Sequence, residues 1–245
     1  MGSTRRTLAP LRARSVGALA AGTLRPNESI DAVWQDVCEG LEALAERGGA
    51  ERINENSLTQ RLIIELGRRP VYRPYFFDKE NIEKDSNGHS PRVDIAALAR
   101  DGGGVVINGS AYAGGQRLLA IEAKRLPAPA SNREREYLTG ERGGVSRFKQ
   151  GIHASDLTTV GIIAYVQRHA FDYWKRALNG WVDELIAAST PDLPWDEQDR
   201  LELEDASPRL ARFRSSNLRV SDNQRLTMRH LWVQLASKGG SAGNQ

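Results

Sequence analysis

The chain has 245 residues, with a hydrophobic content of 40%, a charged content of 27% and a net charge of +3. The length and composition are typical of one ordinary globular domain with short appendages. Acidic and basic residues nearly balance, so composition alone does not indicate nucleic-acid binding. A phosphate-binding surface would have to come from local clusters of basic residues. The single cysteine, Cys38, excludes an intrachain disulfide.

Three further classes of site are not expected. The four histidines stand at no zinc-ligand spacing with each other or with Cys38, which itself lies in an amphipathic helical pattern. No Gly-Lys-Ser/Thr sequence follows the glycines at 102–104, so a nucleotide cofactor is not expected. No apolar run approaches ~20 residues, so we expect no membrane association and a cytoplasmic protein.

The ends of the chain are predicted to lie outside the folded domain. The first 25 residues contain five arginines and no acidic residue, which predicts a disordered basic arm over 1–28. The pair Arg5-Arg6 leaves a twin-arginine export signal as the alternative. An N-terminal helix is predicted within 29–50, a folded domain over 51–237 and a flexible tail over 238–245.

The hydrophobic periodicity and the positions of glycine and proline predict the secondary structure. In chain order the predicted elements are a helix over 29–47, a helix over 55–67, strands over 71–77 and 92–99, a short hairpin around 105–107, a strand over 117–124, a short helix over 145–154, a strand over 159–166, a helix over 170–188, and a last hairpin over 211–220 and 225–235. The segments 127–144 and 190–208 are predicted to be loops. This alternation of helices and strands predicts an α/β fold, an αβα sandwich around a central mixed β-sheet.

Two opposite charges lie near the end of the apolar strand over 117–124. Side chains alternate between the two faces of a strand, so Glu122 and Lys124 are expected on one face. A buried strand does not accept a charge without a partner. An ordinary ion pair at a solvated strand end is the alternative interpretation of Glu122-Ala123-Lys124 taken by itself.

A second carboxylate, Asp94, lies in the preceding long apolar strand, 28 positions before Glu122. If the two strands are neighbours, both carboxylates can converge on one cation. Mg²⁺ prefers oxygen ligands, and the two carboxylates together with the backbone carbonyl of Ala123 would suffice for one site. Such an ion polarises a phosphoryl oxygen and activates water, while Lys124 would position the water or neutralise developing charge.

A third acid, Glu55, lies at the start of the predicted helix over 55–67. At 3.6 residues per turn it falls on the same face as Leu58, Leu62 and Leu66, which predicts that it faces the sheet. The alternative is a carboxylate at the helix start that is stabilised by the helix dipole. Glu65 falls well off that face, so it is predicted to be solvated.

Glu55 on a helix, then Asp94, then Glu122-Ala123-Lys124 resembles the PD-(D/E)XK superfamily, which is also called restriction-endonuclease-like. The sequence around these residues is similar to that of bacterial restriction-like proteins, including some linked to phage defence. The resemblance spans roughly residues 54–235. The chain departs from the motif in one respect, because Pro91 does not directly precede Asp94.

The resemblance implies a restriction-endonuclease-like fold and a Mg²⁺-dependent DNA endonuclease, with Mn²⁺ as a substitute for Mg²⁺. It assigns catalytic roles to Asp94, Glu122, Lys124 and Glu55, and metal binding to Asp94, Glu122, Ala123 and Glu55. The role that it implies is bacterial restriction or anti-phage defence. Cleavage of both strands would need two sites, so we expect a homodimer or a subunit of a larger complex. A catalytically silent DNA-binding or scaffolding subunit is the alternative, and an RNA nuclease is a further option.

Basic residues cluster in two regions that could contact nucleic-acid phosphates. The candidates are Arg142, Arg147, Lys149 and Gln150 after the Lys124 strand, and Arg214, Arg219 and Arg229 in the final hairpin. Acidic residues interleave in the first region, so a solvated loop is the alternative there. The final hairpin is more consistently basic.

Overall fold

A computed structural model describes residues 28–49, 53–68, 73–83, 91–102, 105–107, 110–140 and 142–235. The described residues form helices α1 (Glu28–Arg47), α2 (Glu55–Gly67), α3 (Gly144–Lys149) and α4 (Phe171–Ala188), and strands β1 (Tyr75–Ile82), β2 (Arg92–Ala99), β3 (Val105–Ile107), β4 (Ser110–Tyr112), β5 (Arg117–Leu126), β6 (Thr159–Val166), β7 (Glu202–Ala206), β8 (Leu210–Arg219) and β9 (Gln224–Gln234). Two 3₁₀ helices cover Ser131–Tyr137 and Glu197–Asp199. The predicted arm, except for its last residue, and the predicted tail lie outside the described residues.

Seven of the strands form one mixed sheet in the order β1-β2-β5-β6-β9-β8-β7, and β3 pairs with β4 as a separate hairpin. β1, β2 and β5 pair antiparallel, β5, β6 and β9 pair parallel, and β9, β8 and β7 pair antiparallel. The central strands are apolar along nearly their whole length because both faces of the sheet are covered. The protein therefore has the mixed α/β fold and the central mixed sheet that the sequence predicted, and the sheet has seven strands.

Helices pack on both faces of the sheet. On one face, α1 and α2 share a core with β5 and β6 that includes Val37, Leu62 and Ile121. On the other face, α3 and α4 share a second core that includes Phe148 and Trp232. Helix α1 thus packs into the same core as the sheet. None of the helices within the described ranges combines the length and the apolarity needed to cross a membrane.

The contact between α1 and the sheet is close at Gly161 in β6. A Cβ atom at this position would lie 2.2 Å from a ring carbon of Trp34 in α1, which is far inside van der Waals contact. Only glycine therefore lets the Trp34 ring lie against the strand. This packing fixes where α1 crosses the parallel centre of the sheet.

The structure corrects the loop predicted over 190–208, because residues Glu202–Ala206 form strand β7. All five residues are exposed, so the strand has no buried face and shows no hydrophobic alternation. It is held by backbone pairing with β8 at the edge of the sheet. Its acidic side chains are typical of an edge strand that avoids pairing with other chains.

Three smaller predictions also need correction. The segment 127–144 contains the 3₁₀ helix Ser131–Tyr137, and α3 ends at Lys149 rather than at 154. The early end of α3 coincides with Gly151, whose φ of +69° cannot continue a helix. Glu65 is only 8% exposed rather than solvated, because Arg47 and Arg68 form ion pairs with its two oxygens.

A buried ion pair joins α3 to the segment before β7. The Lys149 ammonium lies 2.7 Å from both carboxylate oxygens of Asp199 and 4.3 Å from the centre of the Trp195 ring. Asp199 also accepts a hydrogen bond from the side-chain amide of Asn217 in β8. Lys149 and Asp199 are fully buried as side chains, so neither charge is solvated and each depends on the other.

Buried hydrogen bonds continue from Asn217 across the last hairpin. Ser215 donates to the Asn217 side-chain oxygen at 2.8 Å, so its hydroxyl accepts from His230 Nε2 at 2.9 Å. His230 Nδ1 then accepts from the Tyr137 hydroxyl at 2.7 Å. Burial lowers the pKa of His230 to about 3, so the imidazole is neutral as this pattern requires. The network ties the 3₁₀ helix Ser131–Tyr137 to β8 and β9.

Replacement of Asp199 by asparagine should cost about 3 kcal/mol of the free energy of unfolding, because the Lys149 ammonium would be left buried without a counter-charge. Urea denaturation followed by circular dichroism measures this change. The control is Asp192→Asn, which removes a carboxylate from an exposed position and should change the free energy by less than about 0.5 kcal/mol. Equal effects of the two substitutions would contradict the assignment.

Candidate functional site

Strands β2 and β5 are direct neighbours, and they bring Asp94 beside the end of β5. Their antiparallel pairing includes Ile95 opposite Ile121, and Asp94 lies one residue beyond that pair. The Asp94 carboxylate accepts a hydrogen bond from the backbone N–H of Ala123 at 2.7 Å. The Asp94 side chain thus accepts from a backbone N–H of β5 just beyond the last backbone pair between β2 and β5.

Glu122 and Lys124 lie on the face of β5 that is turned toward α3. Glu122 is 2% exposed and Lys124 is 7% exposed, and the Lys124 ammonium lies 3.1 Å from Glu122 Oε2. The start of α3 packs against this pair, since a Cβ atom on Gly144 would lie 3.4 Å from Lys124 Cε. The two charges therefore form a buried ion pair instead of a solvated strand end.

Helix α2 brings Glu55 to the same place. The Asn54 side chain caps the helix by accepting a hydrogen bond from the Ser57 N–H at 2.8 Å, so Glu55 becomes the first helical residue. Its carboxylate accepts a hydrogen bond from the backbone N–H of Arg125, at the end of β5. Glu55 therefore has both the predicted position at the helix start and the predicted approach to the sheet.

The electrostatics of the cluster are dominated by buried carboxylates. Burial, and then repulsion from Glu122, raise the pKa of Asp94 to about 7. Burial also raises the pKa of Glu55, against the opposing influence of Lys124. Although burial by itself would raise the pKa of Glu122, Lys124 and then His153 bring it down to about 2. Three carboxylates thus share the ammonium of Lys124, whose own pKa they raise against the effect of burial.

His153 is a residue of this cluster that sequence reasoning missed. It is fully buried, with Nε2 3.1 Å from Glu122 Oε1 and Nδ1 3.4 Å from Glu83 Oε1. The four atoms make no hydrogen bond by strict geometry, and the contacts are ion pairs when the imidazole is protonated. Burial works against the imidazolium, but Glu122 and Glu83 raise the pKa of His153. The sequence does not indicate this position for His153, because a lone histidine after a helix does not reveal where its side chain points.

The donor set of the cluster is suited to a hard divalent cation. It offers the oxygens of Asp94 and Glu122 and the carbonyl of Ala123. Burial, and then the charge of Glu122, raise the pKa of Asp94, so a cation bound there would favour its ionised form. As the side chains stand, no group of three or more His, Cys, Asp or Glu within the described ranges is arranged to hold a metal ion. Asp94, Glu122 and the Ala123 carbonyl supply only two such side chains plus a backbone oxygen, and Glu55, the fourth predicted ligand, would be the third such side chain. Glu55 can keep the Arg125 N–H and still offer a free lone pair.

The predicted nucleic-acid contacts near the site separate into two groups. Lys149 is fully buried against Asp199, so it cannot reach a phosphate, and this prediction is corrected. Arg142 and Gln150 are exposed, and Arg147 is half-buried and close enough to Glu122 to help lower the pKa of that carboxylate. Arg142, Arg147 and Gln150 thus stay predicted nucleic-acid contacts, and of these three Arg147 acts most directly on Glu122.

The basic residues of the final hairpin are not brought to the cluster. Arg219 is 3% exposed and binds Asp222 and the backbone carbonyls of the loop around His153, so its role is to hold that loop and its prediction is corrected. Arg229 forms an ion pair with Asp31 of α1 at 2.7 Å. Arg214 and Arg229 line one groove beside α1, and this groove lies on the opposite face of the sheet from Glu122.

The raised pKa of Asp94 leads to a prediction for the metal-free protein. The folded state holds this proton up to about pH 7, whereas the unfolded chain releases it near pH 4, so ionised Asp94 destabilises the fold at higher pH. In EDTA at pH 8, Asp94→Asn should raise the free energy of unfolding by up to about 4 kcal/mol, at about 1.4 kcal/mol for each unit by which the pKa of Asp94 is raised. The gain should shrink as the pH falls from 7 toward 4, because wild-type Asp94 then becomes neutral in the folded state.

Urea denaturation in EDTA at pH 8 and at pH 5 measures this difference. Asp192→Asn, at an exposed position, provides the charge-matched control and should follow the wild type at both pH values. An Asp94→Asn variant that is less stable than the wild type at pH 8 would show that the ionised carboxylate stabilises the fold.

The chain was also compared with known proteins. No protein-family model, no curated protein and no solved structure matches it at a significant level. A function for the chain therefore has to be inferred from its own residues and their geometry.

Proposed function

We propose that the protein is a metal-dependent nuclease with a restriction-endonuclease-like fold, which hydrolyses DNA phosphodiester bonds at the cluster of Asp94, Glu122, Lys124 and Glu55. One observation carries this proposal. Two neighbouring strands and one helix start, far apart in sequence, converge three carboxylates around one buried ammonium. Perturbed carboxylates of this kind are more common at functional sites than elsewhere.

Mg²⁺, or Mn²⁺ in its place, would be held by Asp94, Glu122 and the carbonyl oxygen of Ala123. When bound, such an ion supplies a Lewis acid for a phosphoryl oxygen and an activated water. The expected reaction joins the water oxygen to phosphorus and breaks the bond between phosphorus and a sugar oxygen. The water provides the proton that the departing oxygen takes up.

Lys124 is suited to stabilise the charge that develops on the phosphate. Its pKa is raised by Glu122, Glu55 and Asp94 despite burial, so the amine stays charged at neutral pH. It is also pre-oriented, because the ion pair with Glu122 and the packing of α3 limit its motion. A positive charge that is already in place before reaction lowers the barrier without reorganisation.

Arg142 and Arg147 would bind the DNA backbone beside the cluster. Contacts to phosphate set the position of a nucleic acid without reading its sequence. Cleavage of both strands requires two such sites, which favours a homodimer or a larger complex. A role in restriction or anti-phage defence follows from the sequence resemblance alone.

A catalytically silent DNA-binding or scaffolding subunit is the second candidate function. The observation that favours it is the present orientation of Glu122, whose two oxygens face Lys124 and His153. An ion pair that only stabilises the fold would have the same contacts. Each carboxylate oxygen has two lone pairs, however, so these contacts leave coordination sites on both oxygens.

Cleavage of supercoiled plasmid in the presence of Mg²⁺ separates the two candidates. Wild-type protein should nick or linearise the plasmid, and EDTA should stop the reaction. Asp94→Asn should lower the cleavage rate at least about 100-fold by removal of a metal ligand, and Lys124→Met should do so by removal of the charge that faces the phosphate. Both substitutions preserve the approximate size of the side chain.

Asp192→Asn should cleave like the wild type and controls for an indirect effect of charge. The silent module would be established instead if the folded wild-type protein and both variants bind DNA equally well and none of them cleaves DNA or RNA. Cleavage of RNA alone would keep the site and change the substrate.

A further inference from the structure

His153 and Glu83 form a buried support behind Glu122. His153 is 0% exposed, and the Glu83 and Glu122 side chains are 3% and 2% exposed, so water does not compete for these contacts. The imidazole lies between the two carboxylates, with one nitrogen 3.1 Å from Glu122 and the other 3.4 Å from Glu83. The Phe148 ring packs edge-on against it, with the two ring centres 5.9 Å apart.

The backbone around His153 directs the imidazole into this position. Gly151 has a φ of +69° and Ala154 a φ of +51°, so the chain makes two left-handed steps around His153. Alanine disfavours this conformation, and its cost is offset where surrounding contacts fix the backbone. The Ala154 N–H donates to Glu83 Oε2 at 3.1 Å, and its carbonyl accepts from Arg219 at 3.0 Å.

Glu83 is itself held from behind. Arg117, the first residue of β5, lies 2.8 Å from Glu83 Oε2 and also forms an ion pair with Asp156. The loop before His153 is tied to α3, because the N–H groups of Ile152 and His153 both donate to the Arg147 carbonyl. The imidazole is thus anchored through Glu83 on one side and through α3 on the other.

We propose that His153 is a positioning residue that, with Glu83 behind it, holds the Glu122 carboxylate in the orientation that binds the divalent cation. This inference rests on the proposed function. Lys124 and His153 each occupy one side of the carboxylate, so Glu122 cannot rotate without loss of a buried contact. The remaining lone pairs are left for the cation. Partners behind a metal ligand commonly change metal affinity 10–100-fold when they are removed.

Metal affinity, measured independently of cleavage, tests this role. Isothermal titration calorimetry with MnCl₂ gives the Kd of the wild type, His153→Leu, His153→Gln and Glu83→Gln. His153→Leu should raise the Kd about 10–100-fold, because it removes both contacts. His153→Gln retains a donor near the position of Nε2, so its Kd should rise by less than about tenfold. His169→Gln is the matched control, because His169 is exposed and stacks on Tyr173 away from the cluster.

Plasmid cleavage at increasing Mg²⁺ separates positioning from general damage. If His153 positions Glu122, the Mg²⁺ concentration for half-maximal cleavage should rise with the Kd, and saturating Mg²⁺ should restore most of the rate. A folded His153→Leu variant with the wild-type Kd would overturn the inference, since the histidine would then only balance buried charge. If this variant does not fold, Glu83→Gln decides by the same criterion.

The two proposals fail in different ways. A wild-type protein that binds Mn²⁺ and cleaves DNA, with histidine variants that behave identically, overturns the positioning role and keeps the nuclease. A folded wild-type protein that neither binds Mn²⁺ nor cleaves nucleic acid overturns both. Equal losses of affinity in His153→Leu and His169→Gln would also overturn the positioning role, because the effect would not be specific to the buried contact.

Discussion

The structure around the active-site candidate depends on compensation of the buried carboxylate of Glu122. A carboxylate removed from water is strongly destabilising unless charged or hydrogen-bonding partners surround it. Lys124 contacts one oxygen and His153 the other, so one partner comes from β5 itself and the second must be brought to it by the loop after α3. The start of α3 packs against Lys124, and the loop after α3 carries His153. The placement of α3 against β5 is therefore part of the same electrostatic arrangement.

Lys124 and His153 contact Glu122, but the cluster contains further buried carboxylates. Asp94 and Glu55 add two more carboxylates beside Glu122, and burial raises the pKa of both. A fold that had evolved only for stability would gain by replacing one of these acids with a neutral side chain. Under the proposed function, a bound cation would compensate this buried negative charge. The cluster lies where β2 extends beyond its backbone pairing with β5, so the Asp94 carboxylate can accept from the Ala123 N–H in place of a backbone carbonyl.

A second buried network supports the site from the far side of α3. Lys149 at the end of the helix pairs with Asp199, and hydrogen bonds run from there through β8 to His230 and the 3₁₀ helix before α3. Beyond the Lys149–Asp199 pair, Asn217, Ser215, His230 and Tyr137 each donate to one acceptor in the network, which fixes the direction of its hydrogen bonds. Helix α3 and the 3₁₀ helix before it are thus both anchored to the C-terminal hairpin. That hairpin contributes to the site through this support, while Arg229 and Arg214 lie on the other face of the sheet.

The sequence by itself determined the mixed α/β fold and the bounds of β2 and β6, because strands buried on both faces leave continuous apolar runs. It also marked Glu122 and Lys124, since charges in such a run need partners. It could not identify β7, whose residues are all exposed, because backbone pairing at a sheet edge leaves no hydrophobic pattern. Only the tertiary structure decided that Lys149 is buried while Arg142 is exposed, and that His153 joins the cluster. The partners concerned lie far away in sequence, as Asp199 lies 50 residues after Lys149, and a local pattern carries no information about contacts at that separation.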